Sequence, residues 1–350
     1  MSDLFRTCRV LLLTLDPVHI GTGGYRLGRV DNSIVREPGT KLPKIPGTSL
    51  SGAIRTYAAY RYESPDCAGQ GNESKATDYK GHCGEKDCPI CYTFGSLKTQ
   101  TDNDKQQAHA GVVNLFDAHI LFFPVYSLAG PVWVSTYQRL RDWKVLQSKT
   151  DRFHLEDKHF ATSLQNWDKP LNLGWIMLEK AEQTEMPALE IPFREENQEN
   201  RKAWQAIQDQ LVLVTDKVFT QVVNSNLEVR TSVAIDPTTG AAQEGALFTY
   251  EAIPRATWLV MDVVEDDYRW ERDQEGKPKL ENGKLKTAFP VTKESKIRKK
   301  PLNWDDPLKV VRAGLKLIEV LGVGGMGTRG FGRVRMITDW SVGDEGASNG

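Results

Sequence analysis

Apolar residues recur along this chain with two different spacings, and the spacing predicts most of its regular elements. Residues 8–15 hold a nearly unbroken apolar run, Val10 to Leu15, of a length suited to a buried strand. From residue 48 to about 62, Leu50, Ala53, Ile54 and Tyr57 share one helical face, with Thr48 or Ser49 as the N-cap. A βα unit therefore opens the chain. Residues 111–123 alternate and then turn solidly apolar, predicting a strand that ends at Pro124, where a ladder donor is lost. Val132–Thr136 predicts another strand.

The second half repeats the pattern. Residues 201–209 predict a short helix, 210–214 a strand, and Asp216 caps a helix carrying Val218, Phe219, Val222 and Val223. Leu227 to Ile235 alternates in the manner of a half-buried strand, and Trp258 to Val264 predicts a partner for such a strand. Asp305 or Asp306 caps a helix through Leu308, Val311, Leu315, Ile318 and Leu321, and residues 333–337 predict a closing strand. Between these elements the stretches 64–92, 146–200 and 266–303 are charged, polar or broken by proline, so they are read as insertions, and the tail 341–350 as disordered. This order fits an α+β, ferredoxin-like core enlarged by insertions.

At 350 residues with 39% hydrophobic content, the chain is long enough for one large core or two modest ones. It has no apolar run of the roughly 18 residues that span a bilayer, and its polar start is unlike a signal peptide, which predicts a cytoplasmic protein with no membrane partner. The net charge of −1 excludes a surface coated in positive charge, so any contact with a polyanion is a local track. One such track is evident. Between Gly21 and Arg61 the basic residues Arg26, Arg29, Arg36, Lys41, Lys44, Arg55 and Arg61 face only Asp31 and Glu37.

Two glycine-rich stretches let a phosphate backbone approach closely. The first follows the opening strand, His19-Ile-Gly-Thr-Gly-Gly24, and the second is Gly322-Val-Gly-Gly-Met-Gly-Thr-Arg-Gly-Phe-Gly332. A bare helix-to-strand connection needs about five residues; eleven, with Gly325, Gly327 and Arg329 among them, point to a ligand. Arg36, Arg55 and Arg329 are candidate phosphate contacts, with Ser49 and Ser51 as weaker donors. Lys293, Lys296, Arg298, Lys299 and Lys300 form a further basic run, either solvated or in contact with RNA.

Four of the five cysteines crowd into a polar loop. Cys83, Cys88 and Cys91 have knuckle-like spacing, so either these are free, solvent-facing thiols or, with Cys67 or His82 as fourth ligand, they form a closed tetrahedral zinc site with no open position for catalysis. Nucleotide-triphosphate loops of the Gly-Lys-Thr type, serine-hydrolase elbows and His-Glu-x-x-His motifs do not occur.

The stretches His19-Ile-Gly-Thr-Gly23, Val30-Asp-Asn-Ser-Ile-Val-Arg36 and Ile45-Pro-Gly-Thr-Ser-Leu-Ser-Gly-Ala-Ile-Arg55 resemble the signature of the RAMP superfamily, the RNA-binding backbone subunits of type III CRISPR effector complexes. Phe116 to Ser127 and Ile235 to Phe248 resemble the repeated, target-cleaving backbone subunit of the Cmr (type III-B) complex. The glycine run ending Gly-Thr-Arg-Gly-Phe-Gly332 is nearer to other type III backbone subunits. The resemblance implies a RAMP core with a thumb hairpin, in 146–200 or in the later insertion. It also implies a head-to-tail filament on guide crRNA, other type III subunits as neighbours, and cleavage of paired target RNA at regular intervals. The resulting division is 1–63 for the start of the core with its catalytic loop, 64–95 for the zinc insertion, 96–145 and 201–265 for core, 146–200 and 266–303 for insertions, and 304–340 for the closing core.

Asp31 is the leading catalytic candidate. On residue type alone it either caps a turn before Asn32 or binds a hydrated Mg²⁺ or Mn²⁺ beside a phosphate; the resemblance implies that metal-dependent cleavage depends on it. His19 either shuttles a proton or packs to order the loop, and Glu244 is either a second acid or a partner of loop backbone. The rival expectations are a non-catalytic RNA scaffold, a metal-independent guide-processing endonuclease using His19, and a zinc-dependent adaptor.

Overall fold

The computed structural model describes residues 5–23, 30–69, 82–83, 88–98, 107–147, 153–182, 184–194, 197–269, 271–277, 279–281, 284–285, 292–294, 301–303 and 306–342. Lys296 to Lys300 of the basic run and residues 343–350 of the tail lie outside them. The opening apolar run forms β1 (Arg6–Thr14), followed by β2 (Lys44–Ile45) and the helix α1 (Gly47–Arg61). Neither Thr48 nor Ser49 caps that helix. Its N-cap is Pro46, and the Gly47 N–H donates instead to Asp117 Oδ1 at 2.7 Å, so a carboxylate 70 residues away satisfies the helix end.

After the short helix α2 (Pro89–Phe94) come β3 (Gly95–Lys98), β4 (Gln107–Ala110), β5 (Val113–Leu115), β6 (Ala118–Ser127) and β7 (Gly130–Ser135). The expected end at Pro124 is overturned, because β6 continues to Ser127. Ser127 pairs with Gly130 across a two-residue turn, so hydrogen-bonded pairs alternate from there and Pro124, opposite Trp133, falls on a pair that needs no N–H toward β7. On its other side the pairing with Trp258–Val260 has already stopped at Phe122.

The helix α3 (Tyr137–Asp142) leads into the charged stretch, which holds β8 (His159–Thr162), β9 (Leu171–Leu173) and β10 (Ile176–Lys180) before α4 (Gln198–Gln208) and β11 (Leu211–Leu213). In α5 (Asp216–Ser225) the cap is Thr215, whose hydroxyl accepts from the Val218 N–H. Asp216 is displaced from that role by one position and accepts from Thr136 Oγ1 at 2.6 Å.

Next come β12 (Glu228–Ile235) and β13 (Ala242–Ala252), which pair antiparallel as an arm outside the main sheet. The alternation in β12 suggests a half-buried strand, yet Val229, Val233 and Ile235 are 42%, 41% and 54% exposed, because the glycine-rich loop packs on the other face of the arm, where Tyr250 and Ala252 meet Phe331. Then follow β14 (Trp258–Glu265), β15 (Leu280–Glu281), β16 (Lys284–Leu285), β17 (Thr292–Glu294), β18 (Pro301–Asn303), α6 (Pro307–Leu321) and β19 (Val334–Ser341). Asp306 caps α6 as expected, accepting from the Leu308 N–H at 2.6 Å.

The main sheet runs β19-β1-β14-β6-β7-β11-β8-β10-β9, with β2 and β5 attached at its side. Most neighbours are antiparallel, but β7–β11 and β8–β10 are parallel, so this is a mixed α+β sheet. β1 is paired on both edges and covered on both faces, which is why its residues are apolar without alternation. Val10 and Leu12 enter a core with Leu50 and Ile54 of α1 and Val311 and Leu315 of α6, while Leu11 faces Trp204 and Ile207 of α4. Burying one such side chain contributes about 1.5–3 kcal/mol. Among the described residues no helix is long and apolar enough to cross a membrane.

Candidate nucleic-acid interface and metal centre

The foot of the arm gathers the candidate site. Asp31 is exposed, and its Oδ2 accepts from both the Thr249 backbone N–H at 2.7 Å and the Thr249 hydroxyl at 2.9 Å. The Asp31 N–H donates back to Thr249 Oγ1 at 3.1 Å. The Thr249 backbone donor, then its hydroxyl, hold the Asp31 carboxyl below its ordinary range, so it is ionised at neutral pH. Asn32 continues the pairing, donating to the Thr249 carbonyl and accepting from the Glu251 N–H. Residues 31–32 thus lie as a short third strand along β13, parallel at Asn32–Tyr250.

His19 is buried at 6% exposure beneath this strand. Its Nδ1 is 2.6 Å from the Glu251 carbonyl oxygen; since a carbonyl only accepts, Nδ1 carries the proton. The His19 carbonyl accepts from the Gly325 N–H at 2.9 Å, which docks the glycine-rich loop on this residue. Gly324 has φ +88, and a Cβ there would meet His19 O at 2.5 Å and Ile20 Cδ1 at 2.4 Å, so only glycine permits this approach. Of the two roles left open for His19, the packed one describes its surroundings.

Arg36 is spent inside the protein. It pairs with the buried Glu251 carboxylate at 2.8 Å, donates from Nε to Asn224 at 3.1 Å and from Nη1 to the Ile34 carbonyl at 3.1 Å. Arg55 corrects the expectation of a phosphate contact: it is 8% exposed, and its Nε donates to the Cys67 carbonyl at 2.8 Å and Nη1 to the Phe94 carbonyl at 3.3 Å. A buried guanidinium facing carbonyls has no path to a backbone phosphate. Ser49 lines a groove of about 330 Å³ with Tyr57, Gly324, Gly327 and Phe331, and Ser51 is half-buried on α1. Gly327 stands open, with nothing within 4 Å of a Cβ. The side chain of Glu244 lies outside the described residues.

Arg329 is exposed on the short turn Gly327–Arg329 and lies over the Phe248 ring at 5.1 Å. Arg230 lies over Phe331 at 4.7 Å, and Tyr250 sits edge-on to Phe331 at 5.3 Å. Two arginines and three aromatic rings therefore join the arm to the glycine-rich loop, an arrangement suited to bases and phosphates together. Thr249, Tyr250, Glu251, Asn224 and Arg230 were not among the candidates from sequence. Their one signal is position, since residues 249–251 directly follow the stretch ending at Phe248.

Cys67, Cys83, Cys88 and Cys91 bring their sulfurs within 4.8 Å of one another. Sγ–Sγ separations of 3.6 Å for Cys67–Cys88 and Cys83–Cys91 and 3.7 Å for Cys67–Cys91 lie near the edge of a ZnS₄ tetrahedron, about 3.8 Å for Zn–S bonds of about 2.3 Å, while Cys67–Cys83 is shorter at 3.2 Å. Hydrogen bonds from the other thiols, led by Cys67, push the Cys88 thiol down. His82 is corrected as a ligand: its Nδ1 accepts from the Leu97 N–H at 3.1 Å, and its ring is not in the four-sulfur group. The loop also has its own small core, with Ala58, Ala59, Ile90, Tyr92 and Val310 packed around the cysteines.

Glu37, Asp117 and His119 form a second cluster with metal-like spacing. Lys44 Nζ already bridges its carboxylates, at 2.7 Å from Glu37 and 2.5 Å from Asp117. A cation occupies the position a metal would need.

Comparison with known proteins then settles the lineage, because the profile of the RAMP superfamily matches residues 11–335. The chain belongs to the RAMP superfamily. This RAMP protein is 28% identical over 260 residues to the CRISPR system Cmr endoribonuclease Cmr4 of Pyrococcus furiosus, covering 70% of this chain and 77% of the relative. A shorter match, 41% over 56 residues, links 16% of this RAMP protein to 24% of the Cms endoribonuclease Csm3 of Mycobacterium tuberculosis. Among solved structures, a type III-B Cmr-beta complex chain in the apo state gives a TM-score of 0.56 at 13% identity, covering 98% of this chain and 99% of that one. Oligomeric Cmr4 from Pyrococcus furiosus gives 0.52 at 20%, covering 97% and 99%. These structural likenesses show a common fold.

Proposed function

We propose that the chain is a backbone subunit of a type III CRISPR effector complex of the Cmr kind, and that it cleaves target RNA. The observation that carries the reading is the Asp31 carboxylate, exposed, ionised and fixed by Thr249 at the foot of the arm. The relative named Cmr endoribonuclease, matched over 70% of this chain, supports it. In this reading copies of the chain polymerise head to tail on guide crRNA in the cytoplasm beside other type III subunits. Guide–target pairing sets sequence, and the repeat of subunits sets the cutting interval.

Around a ferredoxin-like core, divided as 1–63, 96–145, 201–265 and 304–340 with insertions at 64–95, 146–200 and 266–303, the thumb is the β12–β13 arm within the stretch 201–265, in place of the expected 146–200 or 266–303. Its free-standing strands and exposed Val229, Val233 and Leu247 support this over the stretch 146–200, whose strands join the main sheet. Arg329, Gly325, Gly327, Ser49 and Ser51 line the path of the RNA backbone. Arg36, pinned to Glu251, shapes that wall.

Cleavage is the attack of a ribose 2′-oxygen on its own phosphorus: the P–O2′ bond forms and the P–O5′ bond breaks. The 2′ proton leaves and the 5′ oxygen gains one, giving a 2′,3′-cyclic phosphate and a 5′-hydroxyl. A single exposed carboxylate fits Mg²⁺ or Mn²⁺, which keep most of their waters and would supply charge relief at the phosphate. Asp31 holds negative charge at that point, while the arm fixes the ribose in line. Cys67, Cys83, Cys88 and Cys91 hold a structural zinc that orders their loop.

The test is cutting of complementary RNA by the assembled complex carrying Asp31→Ala, with metal present or chelated. Loss of every regularly spaced cut is expected. Unchanged cutting leaves only a scaffold role.

A further inference from the structure

An exposed aspartate is a loose tool, because χ1 and χ2 both turn freely in water and a carboxylate that wanders by an ångström aligns poorly with a reacting phosphate. Here it does not wander. Thr249 sits on β13, stiff at χ1 as a β-branched residue, and makes three hydrogen bonds with Asp31 from two groups: its N–H and hydroxyl donate to Oδ2, and the same hydroxyl oxygen accepts from the Asp31 N–H. The hydroxyl has only one hydrogen and here has both roles filled, so its orientation is fixed. Both Thr249 donors fall on one carboxylate oxygen, Oδ2.

We propose that Thr249 is the positioning residue for the Asp31 carboxylate, mounting it on the arm so that carboxylate and arm move as one body. The inference rests on the cleavage reading above. The backbone continues the mount, since Asn32 pairs along Thr249–Glu251. Engagement of RNA by the arm therefore sets the place of Oδ1.

The experiment compares Thr249→Val, Thr249→Ser and Asp31→Asn in the assembled RNA-guided complex, reading single-turnover cleavage and, separately, target-RNA affinity. Thr249→Val keeps the branch and removes the hydroxyl, and its cleavage rate falls roughly 10- to 100-fold, the usual scale for loss of an orienting partner, with RNA affinity unchanged. Thr249→Ser restores the hydroxyl and recovers most of the rate. A crystal structure of Thr249→Val is expected to show the Asp31 carboxylate held by the residue 249 backbone N–H alone and turned from its wild-type orientation. If Asp31→Asn is inactive while Thr249→Val cuts at the wild-type rate, the positioning role is overturned. It is equally overturned if the serine variant is as slow as the valine one, or if RNA affinity falls in step with rate. Normal cutting by Asp31→Asn instead overturns the catalytic reading itself.

Discussion

Arg55 on α1 donates its Nε to the Cys67 carbonyl at 2.8 Å, tying the first core helix to the first residue of the cysteine cluster. The same guanidinium reaches the Phe94 carbonyl at the end of α2. Both ends of the cysteine loop thus hang on one buried cation.

Arg55→Ala is therefore a stability variant. Leaving buried carbonyls unpaired costs about 1–3 kcal/mol each, and urea unfolding should show a loss of that order. The salt dependence of RNA binding should stay as in the wild type, whereas Arg329→Ala should reduce it. A flattened slope for Arg55→Ala with full stability would return Arg55 to the RNA surface.

Helices α1 and α6 meet where α6 has a glycine. A Cβ on Gly314 would stand 2.3 Å from the Ile54 carbonyl oxygen and 2.7 Å from Ile54 Cγ2, so Gly314→Ala must push the helices apart. Overpacking of this kind costs about 1–3 kcal/mol. Thermal unfolding should shift down, even though alanine favours a helix over glycine by about 1 kcal/mol. An unchanged or higher Tm would mean that the two helices have slack between them.

Metal content gives a third check. Purified chain should carry about one zinc, and a strong chelator should lower its Tm and expose the amides that follow Pro89 in α2 to hydrogen exchange. Cys88→Ser should do the same without chelator. A chain that is metal-free and equally stable would reduce the cluster to four packed thiols.

What could be read from residue order was mostly what lies close along the chain. The buried strand at residues 6–14, the Asp306 cap, the glycine-rich loop and the four cysteines are local patterns, and each is found where its pattern stands. The partners that define the site are remote. Asp31 and Thr249 are separated by 218 residues, and Arg36 and Glu251 by 215. Side-chain chemistry alone could not tell an arginine bound for phosphate from one bound for Glu251. Burial misled in β12 for a similar reason, since alternation reports which residues share a face and leaves open whether anything covers that face.

Stability should also depend on pH through Glu265, at the end of β14. Burial raises its carboxyl from the ordinary range to about 7, outweighing the ion pair with Arg6, while Asp306 and Asp267 add repulsion. The folded state therefore holds this proton more tightly than the unfolded chain, whose glutamate has the ordinary value of 4.5. The resulting stabilisation is complete below the unfolded value and is lost as pH rises through the folded one. The window is thus about pH 4.5 to 7, and at about 1.4 kcal/mol per pKa unit the loss across it is about 3 kcal/mol. Glu265→Gln keeps a neutral amide at every pH. Its unfolding free energy, followed by urea titration, should gain on the wild type by that amount between pH 4.5 and 7 and run parallel below. A constant difference across the whole range would show that Glu265 titrates alike in the folded and unfolded chain, so that the Arg6 pair cancels the effect of burial.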